Sequence, residues 1–347
     1  MPRRPRAEAM SSIPCRRWFS IPWRWLTPLA LAAGLSSLAA AAPGAGRIDL
    51  SADIPGASDM AAPANGQTLY VLDEARGEVA ALDPFEPSKR RVAVGADGAA
   101  RPIAIACVDT GMLAMLCREP EGWTLRTHRI RPDAVADAAA PAQRTVLVPG
   151  RPAAEPAAAP TAGRPRLVVS PSRDWLAICG LPAPLPPVLR APIAGSRVGA
   201  MSAKGCPVPG VARVDAAAIS PGEELVLFQK GDQDRLFLSY FLPPAPRPLL
   251  HLDAGLGRVA DAGFCRGDGT LWVVGGGVAE GGEAEGLWRI DAVLREGRQA
   301  ARAVLVARLD AASSLVALSE RAVVVAHGRE DRIVTRIDPT KQSGVLP

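Results

Sequence analysis

The stretch SDMAAPANGQTLYVLDEARGEVAALDP, residues 58–84, contains the unit from which most of the chain is built. A short apolar strand leads into a Pro-Asn-Gly turn and a second strand over 68–72. An acidic turn with Gly77 follows, and a third strand over 78–82 stops at an Asp-Pro pair. A fourth apolar strand spans 90–94. Short strands separated by Gly, Pro, Asn and Asp turns predict a four-stranded antiparallel sheet.

The same pattern returns five more times along the chain. The anchor of each unit is an apolar residue at the start of its second strand, and the anchors are Leu69, Leu113, Leu176, Leu225, Leu271 and Val323. Their separations are 44, 63, 49, 46 and 52 residues, and the long one spans an Ala/Pro-rich linker at 149–165. No unit contains two stretches with a helical period, which excludes a helical solenoid. We therefore predict an all-β chain that forms a single β-propeller over 47–340 with six four-stranded blades. Seven blades are the alternative if 130–165 or 180–210 contain another.

The sixth unit lacks a fourth strand of its own, because the chain ends at Pro347 soon after its third strand. A strand over 47–55 has no local partner. We expect this N-terminal strand to complete the sixth blade, since closure of the ring leaves no exposed sheet edge at the seam. Residues 341–347 are expected to form a C-terminal tail.

Several motifs resemble the YVTN-type β-propeller repeat. NGQTLYV at 65–71, followed by GEV at 77–79 and LDP at 82–84, is similar to that repeat, and ISPG at 219–222 resembles the turn that opens it. Leu72-Asp73 stands where the repeat usually has Thr-Asn. The resemblance covers the whole exported region. It implies a propeller, and such propellers include binding modules, lactonase-like hydrolases and quinoprotein-like electron-transfer subunits.

Residues 1–42 are predicted to be a signal peptide or an N-terminal anchor. An Arg-rich opening precedes an Ala/Leu-rich run over 26–42 that ends in small residues, as in secretory signals. The sequence RRWF at 16–19 contains the core of a twin-arginine export signal, and an ordinary export signal is the alternative. The apolar run is also just long enough to stay as a membrane anchor. We expect a periplasmic or secreted protein, with membrane contact only through an uncleaved N-terminal segment.

The charge distribution excludes nucleic acid as a partner. The formal net charge of +5 comes from residues 1–42, which contain six arginines and one glutamate. The rest of the chain has as many acidic as basic side chains. A neutral exported region lacks the basic surface that phosphate backbones require.

His327 is the one candidate catalytic residue. The three histidines, His128, His251 and His327, lie in different units without metal-type spacing. His327 precedes GRED at 328–331, a turn between strands, and such turns can face the mouth of a propeller channel. A structural role in the strand is the alternative. The chain has no phosphate-binding loop and no Gly-x-Ser-x-Gly elbow, and we interpret Gly275-Gly276-Gly277 as part of a flexible loop.

Acidic residues after the second strands are weak candidates for a metal site. Asp73, Asp232 and Asp331 recur at similar places in three units, and carboxylates that converge at one end of a channel could hold calcium. Hairpin chemistry is the alternative, because Asp beside Gly favours tight turns. No other cofactor is predicted.

Five cysteines follow the signal, and no Cys-x-x-Cys motif occurs. We predict a disulfide between Cys179 and Cys206, which would fasten the weakly patterned third blade.

These patterns predict an exported propeller that binds a protein or small-molecule ligand and carries no identifiable catalytic motif. A ligand would lie at the axial channel, where loops from several blades converge. The alternative is a lactonase-like hydrolase or a quinoprotein-dehydrogenase-like subunit with its site at the same channel. That alternative predicts that His327, a second histidine and two or more carboxylates meet near the axis.

Overall fold

The computed structural model describes thirteen stretches of the chain. They are residues 46–51, 54–86, 90–130, 141–147, 164–182, 185–202, 213–230, 236–241, 250–253, 255–279, 282–295, 298–329 and 332–341. All of them belong to one compact unit, Pro43–Pro347. The predicted export segment and residues 342–347 lie outside them. No helix within these stretches is long and apolar enough to span a membrane.

The described residues form six four-stranded antiparallel sheets, each a blade of a β-propeller. Blade 1 consists of β2 (Ala57–Ala61), β3 (Leu69–Asp73), β4 (Glu78–Leu82) and β5 (Arg90–Val94). Blade 2 consists of β6 (Arg101–Asp109), β7 (Met112–Glu119), β8 (Gly122–Arg129) and β9 (Gln143–Val146). Blade 3 consists of β10 (Arg166–Val169), β11 (Trp175–Cys179), β12 (Val188–Ala194) and β13 (Arg197–Val198).

The second half of the ring has the same organisation. Blade 4 consists of β14 (Arg213–Ile219), β15 (Leu225–Lys230), β16 (Leu236–Phe241) and β17 (Leu250–Asp253). Blade 5 consists of β18 (Leu256–Phe264), β19 (Leu271–Ala279), β20 (Gly282–Arg295) and β21 (Arg298–Arg308). Blade 6 consists of β22 (Ser314–Ser319), β23 (Ala322–His327), β24 (Ile333–Ile337) and the N-terminal β1 (Arg47–Ser51). The prediction of six blades is confirmed.

The N-terminal strand closes the ring as predicted. Strand β1 pairs antiparallel with β24, with Arg47 opposite Ile337 and Asp49 opposite Thr335. Leu50 and Ile54 are buried in the apolar cluster between blades 6 and 1. The outer edge of β24 is therefore covered by β1, and the two ends of the chain are joined by backbone hydrogen bonds.

The six sequence anchors occupy like places in their blades. Each is the first or second residue of the second strand of its sheet, and each is at most 3% exposed. The local pattern of apolar strand and polar turn thus sets where each blade begins, because an apolar residue at that place packs against the neighbouring sheet.

Apolar clusters fill the spaces between neighbouring blades. One cluster lies between each pair, for example that of Leu69 and Val324 between blades 1 and 6, and that of Val226 and Trp288 between blades 4 and 5. Their members are mostly Val, Leu and Ala, side chains that interdigitate closely between sheets. The scarcity of aromatic residues is consistent with this thin packing.

Blade 5 differs from the sequence prediction. The glycines at 275–277 belong to β19, which pairs with β20 over its whole length, so their interpretation as a flexible loop is wrong. A Cβ at Gly275 would lie 2.1 Å from the carbonyl oxygen of Arg258, and one at Gly277 would meet the Trp288 ring at 3.3 Å. Glycine is needed here because β18 approaches closely and the indole covers the strand.

Candidate functional site

The inner strands of the six blades place one equivalent residue each around the axis. In every blade this residue pairs with the residue three positions after the anchor. In blade order the six residues are Asp59, Ala104, Arg166, Ala216, Asp261 and Ser314. The four polar members belong to blades 1, 3, 5 and 6, and the two alanines belong to blades 2 and 4.

The four polar members form a buried cluster that we call the axial hub: Asp59, Arg166, Asp261 and Ser314. Arg166 Nη1 donates to Asp59 Oδ1 at 2.8 Å, and Arg166 Nε lies 3.6 Å from Asp261 Oδ1. The Ser314 hydroxyl lies 3.2 Å from Asp59 Oδ1 and 3.0 Å from Asp261 Oδ2. Contacts between these side chains join blades 1, 3, 5 and 6 at the axis.

Backbone groups complete the axial hub. Asp59 Oδ2 accepts a hydrogen bond from the backbone nitrogen of Ile105 at 2.8 Å, which adds blade 2. Arg166 Nη2 donates to the carbonyl oxygen of Ser313 at 2.8 Å and also to that of Ala260. Asp261 Oδ2 accepts from the backbone nitrogen of Leu315 at 2.9 Å. Among the described residues, blade 4 alone contributes no polar group to the hub.

Protonation of Asp261 fits the hydrogen bonding of the hub. Burial raises the pKa of Asp261, and the nearby Asp59 carboxylate adds to this effect, while Arg166 opposes both. A hydroxyl has one proton, so Ser314 can donate to only one of its two carboxyl neighbours. If Asp261 is protonated, its O–H can supply the second hydrogen bond.

The hub is not arranged as a metal site. The guanidinium of Arg166 lies against both carboxyl groups and supplies the positive charge that a cation would otherwise bring. In the described stretches, no group of three or more His, Cys, Asp or Glu side chains could hold a metal ion.

A cavity of about 680 Å³ lies next to the hub, at the end of the channel where the inner strands begin. We call it the axial mouth. Its basic side chains are Arg164, Arg166, Arg213, Lys230, Arg258, Arg329 and Arg332. Asp215 is the one acidic side chain that lines it within the described part of the chain. The lining comes from blades 1, 3, 4, 5 and 6, and its charged side chains are mostly basic. Arg258 and Arg329 also form ion pairs with Glu285 and Asp310, at 3.5 and 3.2 Å.

Three guanidinium groups crowd one side of the axial mouth. Arg164 Nη2 and Nη1 donate to Ser58 Oγ and Ser58 O at 2.9 and 3.1 Å, and Arg164 forms an ion pair with Glu74 at 3.1 Å. Burial lowers the pKa of Arg164, and the positive charges of Arg166 and Arg332 lower it further, against Asp59 and Glu74. Because these like charges repel one another, a bound anion would relieve the strain between them.

Asp215 is the exception in a basic cavity. It is 2% exposed, and Arg213 Nε lies 2.5 Å from its Oδ1, although the N–H is not aligned with that oxygen. Oδ1 has this one contact, and Oδ2 has no hydrogen-bond partner among the described residues. Burial raises the pKa of Asp215 and outweighs the opposing effects of Arg213, Lys230 and Arg258. The carboxyl group of Asp215 therefore lies where a ligand in the axial mouth can contact it.

The three histidines lie on strands of three different blades. His327 is the last residue of β23, and its Nε2 lies 2.9 Å from Thr335 Oγ1, which donates to Asp49 Oδ1 at 2.7 Å. Its contacts therefore run across blade 6 toward β1, although the next two residues line the mouth. Burial lowers the pKa of His327. His128 lies in β8 and His251 in β17, so the three occupy different blades.

Asp73 has the surroundings of a turn residue. It is fully buried, and its Oδ1 accepts from the backbone nitrogens of Ala75 and Arg76 at 3.1 and 3.2 Å. The other two calcium candidates, Asp232 and Asp331, lie outside the described residues. Calcium binding through them stays a prediction.

The proposed disulfide also stays a prediction. Cys179 is buried in β11, and its expected partner Cys206 lies outside the described residues.

The basic mouth was not found from the sequence, although one signal could have identified it. When the inner strands are aligned on their anchors, Arg101, Arg213 and Arg258 share one position, three residues before the axial one. Two of these three arginines line the mouth. An alignment of the six units by inner strand, rather than a search for motifs along the chain, shows this column.

Comparison with known proteins supports the fold. No family model matches the chain, and no curated protein matches it. Among solved structures, a PQQ-bound aldose sugar dehydrogenase from Streptomyces coelicolor is 13% identical, covers 85% of this chain and 99% of its own, and has a TM-score of 0.54. A glucose dehydrogenase is 14% identical, with 84% and 98% coverage and a TM-score of 0.55. A gluconolactonase from Xanthomonas campestris is 18% identical, with 85% and 90% coverage and a TM-score of 0.50. At these identities the likeness shows a shared β-propeller fold.

Proposed function

We propose that the protein binds a small anionic molecule, one that carries a carboxylate or a phosphate, at the axial mouth. The observation behind this proposal is the lining of the cavity, which has seven basic side chains against one carboxylate among the described residues. It gives a specific form to the sequence prediction of a ligand-binding propeller, since it names the end of the channel and the sign of the ligand's charge.

The chemistry of the arginines supports an anion. Guanidinium groups donate pairs of parallel hydrogen bonds that match the oxygens of carboxylates and phosphates. Arg332 uses Nη1 to donate to the carbonyl oxygen of Ala57 at 2.8 Å, and Arg164 lies near it in the same cavity. A volume of about 680 Å³ is also in the range of small-molecule sites.

Isothermal titration at low ionic strength tests the proposal, with inorganic phosphate and D-gluconate as probes. We expect both to bind the wild type, and Arg332→Ala to weaken binding roughly 10- to 100-fold, as loss of a charge-assisted hydrogen bond does. Added salt should weaken binding because the attraction is electrostatic.

The matched control is Arg321→Ala. Arg321 is an exposed arginine of the same blade, at the opposite end of β23, so its loss should leave binding unchanged. Arg332→Lys keeps the charge and should retain part of the affinity. If neither probe binds the wild type, or if both alanine variants bind equally well, the mouth is not an anion site.

A second candidate function is lactonase-like hydrolysis in the same cavity. Two observations favour it: the names of the structurally similar proteins, which include a gluconolactonase and sugar dehydrogenases, and the raised pKa of the buried Asp215. A carboxylate with such a pKa suits general base catalysis. In this reaction Asp215 takes a proton from water, and the water oxygen bonds to the lactone carbonyl carbon. The bond from that carbon to the ring oxygen then breaks, and Asp215 returns the proton to the ring oxygen to give a hydroxy acid.

Turnover of D-glucono-δ-lactone, followed by acid release in a pH-stat, tests this candidate. We expect Asp215→Asn to lose at least 100-fold in kcat while phosphate binding persists, because the base is removed and the arginines remain. If the wild-type protein binds phosphate but does not turn over the lactone, the hydrolase candidate is wrong and ligand binding remains as the proposed function. Reduction of a redox dye with added PQQ tests the quinoprotein alternative in the same preparation.

A further inference from the structure

Among the described residues, Asp215 has one close partner, Arg213, whose Nε lies 2.5 Å from Oδ1. The residue lies at a β-bulge in β14, where the register with β15 shifts between Val214 and Ala216. The inner strands of blades 1, 2 and 5 have the same shift, and there the extra residue is Ser58, Ile103 and Ala260. Because Ser, Ile and Ala all occupy this bulge, the backbone conformation does not require an acid in blade 4.

The surroundings of Asp215 leave part of its acceptor capacity unused, because the contact with Arg213 involves Oδ1 and none is shown for Oδ2. The side chain is almost fully buried, it lines the axial mouth, and within the described residues neither of its oxygens accepts an aligned hydrogen bond. A buried acceptor without a donor is unfavourable, so groups of this kind are ordinarily satisfied by a ligand or by water. A hydrogen-bond donor from a ligand or from water can reach Asp215 through the cavity.

The charges around Asp215 select the type of donor. Arg213, Lys230 and Arg258 all act on this carboxyl group, and the same three side chains line the cavity. A ligand ammonium group near Asp215 would be repelled by three positive charges. A hydroxyl group donates a hydrogen bond without adding charge. It is therefore compatible with the carboxylate of Asp215 and with the basic side chains around it.

We infer that the ligand of the axial mouth is a hydroxylated anion, whose charged group contacts the arginines and whose hydroxyl groups donate to Asp215. The inference rests on the proposed anion site and narrows its ligand to a class. Asp215 is then the residue that determines specificity, since the arginines alone would accept any small anion.

A set of six-carbon probes tests the inference by isothermal titration. D-gluconate and hexanoate carry the same carboxylate and differ in the hydroxyl groups, 6-aminohexanoate carries an ammonium group, and D-glucose lacks the charge. We expect the wild type to bind gluconate at least 10-fold more tightly than hexanoate and at least 10-fold more tightly than 6-aminohexanoate. Glucose should bind more weakly than gluconate by a similar or larger factor.

Two variants of Asp215 sharpen the test. Asp215→Ala removes the acceptor and should bring the gluconate and hexanoate affinities within about threefold of each other. Asp215→Asn keeps a carbonyl acceptor in the same volume and should retain part of the preference for gluconate. Thermal unfolding of both variants checks that the fold is intact, and Asp215→Asn provides the comparison if the alanine variant does not fold.

The outcomes distinguish the hydroxyl preference from the anion site itself. If phosphate and hexanoate bind the wild type as tightly as gluconate, or if Asp215→Ala keeps the full preference, the hydroxyl inference is wrong and the anion site stands. Tighter binding of 6-aminohexanoate than of gluconate overturns it in favour of a zwitterion. If no anion binds the wild type, the anion site fails and the inference fails with it.

Discussion

The axial hub and the axial mouth are neighbouring regions built from the same residue types, with opposite arrangements of charge. In the hub, Arg166 lies between Asp59 and Asp261, and a serine and backbone groups donate to the carboxyl oxygens, although Arg166 Nε makes no aligned hydrogen bond among the described residues. In the mouth, Asp215 has an ion-pair neighbour but no aligned hydrogen bond among the described residues. Charges that satisfy one another hold blades together, whereas charges left partly unsatisfied are available to a ligand.

The largest expected effect comes from breaking the hub. Asp59→Ala removes the partner of Arg166, of the Ile105 amide and of the Ser314 hydroxyl, and leaves a buried guanidinium poorly compensated. We expect a loss of about 3 to 5 kcal/mol in the free energy of unfolding. Chemical denaturation measures it. A loss below about 1 kcal/mol would mean that the hub is dispensable for stability.

Replacing Asp215 in the mouth should raise the free energy of unfolding rather than lower it. Burial raises the pKa of Asp215 in the folded protein, so stability falls as the pH rises from the ordinary Asp value of about 3.9 through the folded one. We expect Asp215→Asn to stabilise the protein by about 0.5 to 2 kcal/mol at pH 7, as replacement of unsatisfied functional groups often does.

The pH dependence of that stabilisation is its control. Below the ordinary Asp pKa the carboxyl is protonated in both the folded and the unfolded chain, so the difference between wild type and variant should disappear. Thermal unfolding at pH 7 and near pH 3 measures both values. An equal stabilisation at the two pH values would show that the charge of Asp215 is not its cause.

The smallest effect is expected at the rim of the mouth. Asp310 and Arg329 pair at 3.2 Å, and their side chains are 62% and 75% exposed. Asp310→Ala should change the free energy of unfolding by less than about 1 kcal/mol, because solvent screens exposed pairs. A loss in the free energy of unfolding comparable with that of Asp59→Ala would show that exposed and buried charges contribute equally to stability.

The sequence predicts the blades well and the site poorly, for a physical reason. Each blade is set by local strands and turns, so anchors such as Leu69 and Val323 are visible within about twenty residues of sequence. The long strands of blade 5 were missed because Gly275 serves close packing against β18 rather than flexibility. A local pattern does not report what a neighbouring strand from another hairpin will require.

The site depends on residues that are distant in the chain. Ser314 and Asp59 are separated by 255 residues, and the arginines of the mouth come from several blades. Their meeting follows from closure of the ring, which no single unit encodes. The turn after His327 indicates a place near the channel mouth, but the ring contacts Thr335 across blade 6, because side chains at the end of β23 can face either side of the sheet.

Closure through β1 also sets the order in which the molecule can be completed. Asp49 and Thr335 are 286 residues apart, so β1 has no strand partner until β24 has been synthesised. Contacts of such long range slow folding, and the propeller of a nascent chain remains an open arc until that point. A truncated chain that lacks β24 therefore has two uncovered sheet edges. Chaperones and proteases could recognise an incomplete chain by these edges.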